Sequence, residues 1–333
     1  MTSHTAHAKA HAKAHANIAL AKYWGKSDVT LNLPAVPSLS ITLDALVTET
    51  RVTLDPSLGK DQIIFDGTER SGDDADRAVE MLTRLRLLAP EALRTQFATV
   101  DTVNHFPTAS GLASSASGFA ALAGAVAKAY QIDATLEQLS AWARHSSASA
   151  ARSIYPGFVE LAAGLVGDDT LAARVVADKD HWDVCIVIAL ASLKRKKTSS
   201  RDGMIDTAKT SPYYPAWLGC APMYFQDVRN GVLSRDLEKV GTAMEASTFA
   251  MHASALAARP SVRYYAASTA TLLDTVEQLR SAKIPCYSTM DAGPHVKVLC
   301  ERKDAEQVHQ AMIESGAAVD VRTARPGAGI TIT

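Results

Sequence analysis

Four stretches of this chain combine small residues, hydroxyls and cations at spacings that suit an anion. The first is residues 104–118, where Gly111, Leu112, Ala113, Ser114, Ser115, Ala116 and Ser117 run into an Ala-rich stretch from about Ser117 to Tyr130. Small side chains let a ligand approach the backbone, and a helix start offers unpaired N–H groups at the positive end of its dipole. That pairing suits phosphate. A plain serine N-cap is the other reading, but a lone cap does not need the whole Gly-Leu-Ala-Ser-Ser-Ala-Ser run. Gly-Lys-Ser/Thr is missing, so this is not the common P-loop. The second stretch is Ser147, Ser149 and Arg152 in a Ser/Ala-rich segment: either two hydroxyls and a guanidinium fork that converge on an anion, or a helix start. The third is the basic run 194–197 leading to Ser199, Ser200, Arg201, Asp202 and Gly203, a solvated face or a phosphate loop. In the fourth, Lys22, Tyr23 and Lys26 surround a Gly25 turn, a strand end with solvated lysines or a further phosphate contact.

One acid stands apart from these cations. Asp291 follows a strand-like run and precedes Ala292-Gly293-Pro294. It is either a turn residue or an acid carried close to a ligand. Phosphoryl transfer needs cradled phosphates, a bridging metal, neutralising cations and a group that orients the attacking hydroxyl. The chain has a candidate for each role.

The elements that must position these residues read as mixed α and β. Residues 18–24 begin as a buried strand that breaks at Gly25. Alternation over 38–43 and again over 48–54 predicts a hairpin or meander. A short strand is expected at 63–65, an amphipathic helix over 73–88, a strand over 97–104 and a helix over 136–145. The apolar run 184–190 reads as a central strand. Helices dominate from there to Ala257, followed by a long helix over 262–282, a strand over 296–300, a helix over 304–314 and a last strand around 329–333. The repeat Ala-His-Ala-Lys near the N-terminus would line up His7, His11 and His15 on a helix. A short polar arm leading into the first strand is the simpler expectation.

Bulk properties exclude several classes. With 333 residues the chain can bury a large core and form two domains. A formal net charge of -1 gives no pull toward nucleic acid. No apolar run approaches the roughly 20 residues of a membrane span, and the start lacks a signal-peptide core. Cys185, Cys220, Cys286 and Cys300 are scattered without a CxxC pair, which predicts reduced thiols of a cytoplasmic protein and no zinc site.

Taken together, the motifs resemble diphosphomevalonate decarboxylases of the GHMP kinase superfamily. The resemblance rests on Asn17-Ile18-Ala19 through Lys22-Tyr23-Trp24-Gly25-Lys26, on 38–43, on 106–118, on 147–153, on 199–204, on Met251-His252-Ala253, and on Met290-Asp291-Ala292-Gly293-Pro294. It implies an α+β GHMP kinase fold: an N-terminal domain (1–190) like domain 2 of ribosomal protein S5, and a C-terminal ferredoxin-like domain (191–333). It implies ATP-dependent decarboxylation of (R)-5-diphosphomevalonate with Mg2+, in a cytoplasmic homodimer. By the same resemblance Asp291 orients or deprotonates the 3-hydroxyl, Lys26 stands near the transferring phosphate, and Arg152, positioned by Asn17, holds the substrate carboxylate. Lys22, Tyr23, Ser147, Ser149, Ser200 and Arg201 match positions around the diphosphate. Residues 111–117 match the ATP phosphate loop, with Ser114 and Ser115 nearest the phosphates and Ser115 a weak metal ligand. The chain departs from the family pattern at Val36-Pro37, Ser146, Ala148, Pro156 and His295. Val36-Pro37 lies on the substrate side and bears on substrate choice. Relatives act on 5-phosphomevalonate or only phosphorylate mevalonate. Lys26 and Asp291 together argue against a kinase, and Ser147, Ser149, Ser200 and Arg201 favour the diphosphate.

Overall fold

The computed structural model describes residues 8–106, 114–193 and 197–333, apart from the side chains of Asp73 and Asp74. From Lys9 on, the His/Lys repeat is neither a helix nor a loose arm. It is the first half of a 13-residue strand, β1 (Lys9–Ala21). A period of two explains this: Ala10, Ala12, Ala14 and Ala16 are buried, while Lys9, His11, Lys13 and His15 alternate outward. His7 lies outside the described residues.

The short strands β2 (Lys26–Asp28) and β3 (Leu33–Pro34) form a separate ribbon. The meander expected over 38–54 is instead one strand, β4 (Ser38–Asp55), of 18 residues. The break in alternation is a slip in register against β1: His15 faces Val47 while Asn17 faces Thr42. A bulge therefore stands where a turn was expected. The domain continues through β5 (Gln62–Phe65), β6 (Thr68–Glu69), α1 (Asp73–Arg86), β7 (Phe97–Asn104), α2 (Ser114–Ala129) and α3 (Leu136–Ser146). A 3-10 segment at Ala148–Ile154 leads to β8 (Phe158–Leu161) and β9 (Arg174–Ala177). The alanine face of β1 and the alanines of α2 share one core, so helix and sheet approach closely.

The second half holds β10 (Val184–Leu190), α4 (Ser200–Thr210), α5 (Tyr214–Ser234), α6 (Leu237–Leu256), α7 (Ala267–Ser281), β11 (Cys286–Thr289), β12 (Val296–Glu301), α8 (Ala305–Glu314), β13 (Asp320–Ala324) and β14 (Thr331–Ile332). Its antiparallel sheet has the order β11-β12-β10-β13. β10, placed in the first domain by a division at residue 190, is thus hydrogen-bonded into the second sheet. The helix expected from Val262 starts at Ala267, and β13 is an added strand. β14 returns to the first sheet, whose order is β14-β1-β4-β7-β5-β6 with β8 and β9 branching from β4.

The two sheets meet over one apolar layer. Ile18, Leu20, Leu39 and Ile41 of the first share a core with Ile186, Ile188 and Leu299 of the second and with Val228, Val240 and Met244 of α5 and α6. The opposite face of the second sheet packs under α7 and α8. Where β1 runs out of this layer it meets the turn that follows β11, and the candidate site lies there.

Candidate active site

Asp291 sits two residues beyond β11 and is held by two lysines. Lys22 Nζ lies 2.8 Å from Oδ1, and Lys297 Nζ lies 3.0 Å from Oδ2. The ammonium-bearing side chains are 1% and 0% exposed, whereas the Asp291 side chain is 24% exposed. The cations therefore back the carboxylate, and the acid keeps an accessible face. Burial alone would raise the Asp291 pKa, but the charges of Lys22 and Lys297 outweigh it and hold the carboxyl well below the usual range. Burial lowers Lys22 to about 8, against the opposing pull of Asp291. Lys22 also donates to the Ala19 carbonyl at 2.9 Å, which fixes its stem along the end of β1.

Arg152 is the second charged centre. It is 2% exposed on the 3-10 segment, and its three side-chain bonds go to neutral oxygens. Nε donates to Ser40 Oγ at 2.9 Å, Nη1 to Ser38 Oγ at 2.7 Å and Nη2 to Asn17 Oδ1 at 3.4 Å. Asn17 in turn donates to Ser153 Oγ and to the Ser149 carbonyl, at 2.8 and 2.9 Å. Burial lowers the guanidinium to about 10, so it stays charged at neutral pH. A buried cation held only by neutral partners is costly unless an anion joins it. Ser147 and Ser149 hydroxyls lie 3.0 Å apart on the same segment.

The Lys-Tyr-Trp-Gly-Lys turn is pinned from the C-terminal half. The Trp24 carbonyl accepts a 2.8 Å bond from Trp217 Nε1 of α5. Gly25 has φ +100°, and a Cβ there would lie 2.0 Å from the Tyr214 hydroxyl, so only glycine fits. The turn sets Tyr23 and Lys26. The Tyr23 hydroxyl is buried and has no hydrogen-bond partner among the described residues. Burial raises its pKa, so it remains a neutral donor in want of an acceptor. Lys26 is lowered to about 8 by burial and by the charges of Arg201 and Arg77. Arg201 is exposed in the first turn of α4 next to Ser200, and the Ser199 hydroxyl caps that helix by accepting from Asp202 N at 3.1 Å. Tyr264 donates to the Ser199 carbonyl at 3.1 Å, clamping the turn.

The structure thus joins Asn17, Ser149, Ser153 and Arg152 in one network and Lys22 with Asp291 in another, both anchored on β1. Lys22, placed by the motif comparison among the diphosphate contacts, has its ammonium on Asp291. The hydroxyl of Ser117, expected in the ATP loop, is buried and lies 2.7 Å from Thr48 Oγ1. Ser115 is exposed in the first turn of α2, with half-exposed Ser114 beside it and buried Ala116 after it. Gly111, Leu112 and Ala113 lie outside the described residues, as do residues 194–196 of the basic run.

Two residues of the site escaped the sequence reading. Lys297 is one, and its signal was a charge inside the apolar run Val296-Lys297-Val298-Leu299-Cys300. His252, quoted only as part of a motif, is the other. Burial lowers it to about 3, its ring bonds the Met290 carbonyl, and it packs edge-on against Tyr265 with centroids 4.9 Å apart. It is a neutral prop behind the Asp291 turn.

Among the described residues, no three His, Cys, Asp or Glu side chains are grouped to cage a metal. Mg2+ in nucleotide sites keeps waters and takes most other ligands from phosphates. An exposed serine hydroxyl at a helix start, such as Ser115, fits that demand.

An α+β protein of the GHMP kinase type, with one carboxylate paired to two buried lysines where its sheets meet, is an enzyme built for a polyanionic small molecule. Residues 14–172 match the diphosphomevalonate decarboxylase-like N-terminal domain, and residues 186–324 match the mevalonate 5-diphosphate decarboxylase C-terminal domain. The diphosphomevalonate decarboxylase of Candida albicans is 34% identical over 306 residues, covering 88% of this chain and 84% of the relative. A solved structure of MDDEF in complex with MVAPP, AMPPCP and magnesium superposes with a TM-score of 0.91 at 38% identity, covering 98% of this chain and 99% of that one. A structure of the mevalonate diphosphate decarboxylase from Enterococcus faecalis, concerned with mevalonate diphosphate-mediated ATP binding, gives 0.89 at 37% identity over the same shares. The chain belongs to the diphosphomevalonate decarboxylase family.

Proposed function

We propose that this chain converts (R)-5-diphosphomevalonate and ATP to isopentenyl diphosphate, ADP, phosphate and CO2, with Asp291, Lys26 and Arg152 as its catalytic residues. The observation that carries the assignment of roles is the Asp291 carboxylate, ionised and backed by Lys22 and Lys297, beside the buried Arg152. ATP is the co-substrate and Mg2+ the metal. Mg2+ would neutralise phosphate charge when bound, and in this reading Ser115, exposed in the first turn of α2, would offer it a hydroxyl.

In this reading the 3-hydroxyl of the substrate donates a hydrogen bond to the accessible face of Asp291. So weakly basic a carboxylate orients the hydroxyl first and takes its proton late, as the oxygen–phosphorus bond forms, in keeping with a loose phosphoryl-transfer transition state. Lys26 offsets charge on the moving phosphoryl group. The C3–O bond then breaks with phosphate leaving, cationic character develops at C3, and the electron pair of the C–carboxylate bond becomes the new double bond as CO2 departs. Arg152 holds that carboxylate through a fork already set by Ser38, Ser40 and Asn17. Tyr23, Ser147, Ser149, Ser200 and Arg201 supply donors to the diphosphate, and Asn17 keeps Arg152 in place. Release of CO2 from each mevalonate phosphate, scored against ADP, tests the assignment.

Two domains are part of the proposal, with β10 paired into the second sheet and β14 crossing back to the first. A homodimer and a cytoplasmic location complete the proposal. The four free cysteines agree with a reducing compartment, and among the described residues no helix is long and apolar enough to cross a membrane. Light scattering of the purified chain tests the dimer.

A further inference from the structure

Lys297 is an ammonium where the fold calls for a hydrocarbon. It lies on β12, an internal strand, opposite Ile188 of β10 and Thr289 of β11. Val296, Val298 and Cys300 point to the core beneath α7 and α8, so Lys297 points with Leu299 to the opposite, inter-sheet layer. Its side chain is 0% exposed. Replacing a buried ion pair by apolar residues of similar volume is often neutral or stabilising. A buried pair of this kind is thus weak evidence that the charge serves stability.

Its ion-pair partner is Asp291, and the pairing is divided between oxygens. Lys22 takes Oδ1 and Lys297 takes Oδ2. The two lysines come from different sheets. Lys22 follows β1 of the first sheet, whereas Lys297 belongs to the same sheet as the strand that delivers Asp291. Lys22 hydrogen-bonds Oδ1, whereas Lys297 faces the buried Oδ2 as an ion pair without hydrogen-bond geometry, so rotation about the terminal bond separates the carboxylate from one of its two cations. Lys22 alone would leave that orientation dependent on how the two sheets meet.

We propose that Lys297 is a positioning residue for phosphoryl transfer: from within the second domain it fixes the orientation of the Asp291 carboxylate, so that the accessible lone pairs face the substrate hydroxyl before ATP and substrate arrive. The proposal rests on Asp291 as the group that meets that hydroxyl. It makes Lys297 act through Asp291 and not through either ligand.

The test is a double-mutant cycle on the full chain with ATP, Mg2+ and diphosphomevalonate. Lys297→Met lowers kcat by about 30-fold, the scale of a misaligned catalytic group, and leaves both KM values within about 3-fold. Asp291→Asn/Lys297→Met is no slower than Asp291→Asn alone, because the lysine has nothing left to position. Lys297→Gln gives the same pattern and replaces the methionine variant if far-UV circular dichroism shows that variant unfolded. A wild-type kcat in the folded Lys297 variants, or losses that multiply in the double variant, overturns the proposal while leaving Asp291 in its role. A near-wild-type Asp291→Asn overturns both.

Discussion

Lys22 donates a 2.8 Å hydrogen bond to Asp291, a residue 269 positions further along the chain and attached to the other sheet. One contact thus ties the end of β1 to the turn after β11. It joins the strand that carries Asn17 to the acid at the centre of the site. Whatever disturbs the junction of the sheets disturbs the acid, and this coupling sets what each substitution should do.

Asp291→Asn keeps the shape but removes the charge. ATP and diphosphomevalonate should bind within a few-fold of wild type, measured by calorimetry. The kcat should fall by about 10³-fold or more, the range for a lost acid–base group. Retained turnover would take Asp291 out of the reaction.

Arg152→Lys tests the second centre. A lysine cannot reproduce a planar fork bonded to Ser38, Ser40 and Asn17 together. The expected result is a kcat/KM for diphosphomevalonate lowered by about 10²-fold, with ATP affinity little changed, as read from steady-state kinetics. An equal loss toward both ligands would point to general disorder of the site.

The alkaline limb of kcat/KM should fall near pH 8, where Lys22 and Lys26 lose their protons in the free enzyme. With Lys26 beside the transferring phosphate, as proposed, bound phosphates would stabilise its ammonium, so the limb of kcat should lie higher than that of kcat/KM. Stability moves the other way. The folded-state pKa of Lys22 is lowered from 10.5 to about 8, so the unfolded chain binds more protons in that window. Its contribution to unfolding free energy is therefore least favourable below pH 8 and improves as pH rises toward 10.5. A pH–rate profile set beside a pH series of urea melts checks both signs. His252, at about 3, and Asp291, held lower than an ordinary carboxylate, contribute no titration near neutrality.

Gly25→Ala tests the turn. The new methyl group meets the Tyr214 hydroxyl at a backbone angle that favours glycine. A loss of about 2 kcal/mol in unfolding free energy is expected, together with raised KM values because Lys26 is displaced. Tyr214→Phe in the same chain removes the closest atom and should recover part of the loss in a thermal melt.

Much of this site was legible because its chemistry sits in short runs. Lys22, Tyr23, Gly25 and Lys26 fall within five consecutive positions, Ser149 and Arg152 share one 3-10 segment, and Asp291 announces itself ahead of a Gly-Pro turn. Strand period also located most elements. The failures have physical causes. The Ala-His-Ala-Lys repeat of residues 8–16 was read as an arm before the first strand, whereas its period of two, pairing with β4 and packing against α2 make it part of that strand. The gap between two alternating runs near Asp44 read as a turn, yet pairing with β1 absorbs it as a bulge. Division of the chain at 190 followed the family resemblance, whereas β10 hydrogen-bonds into the second sheet. Lys297 was hidden because its partner is brought to it by the turn between β11 and β12, and spacing alone does not show where that turn aims.

The most direct test of the central claim is the ratio of CO2 to ADP formed from carboxyl-labelled diphosphomevalonate with ATP and Mg2+. A ratio of one, with isopentenyl diphosphate as product and loss of both signals in Asp291→Asn, is the predicted result. ADP formed without CO2, or CO2 released only from the monophosphate, would contradict it.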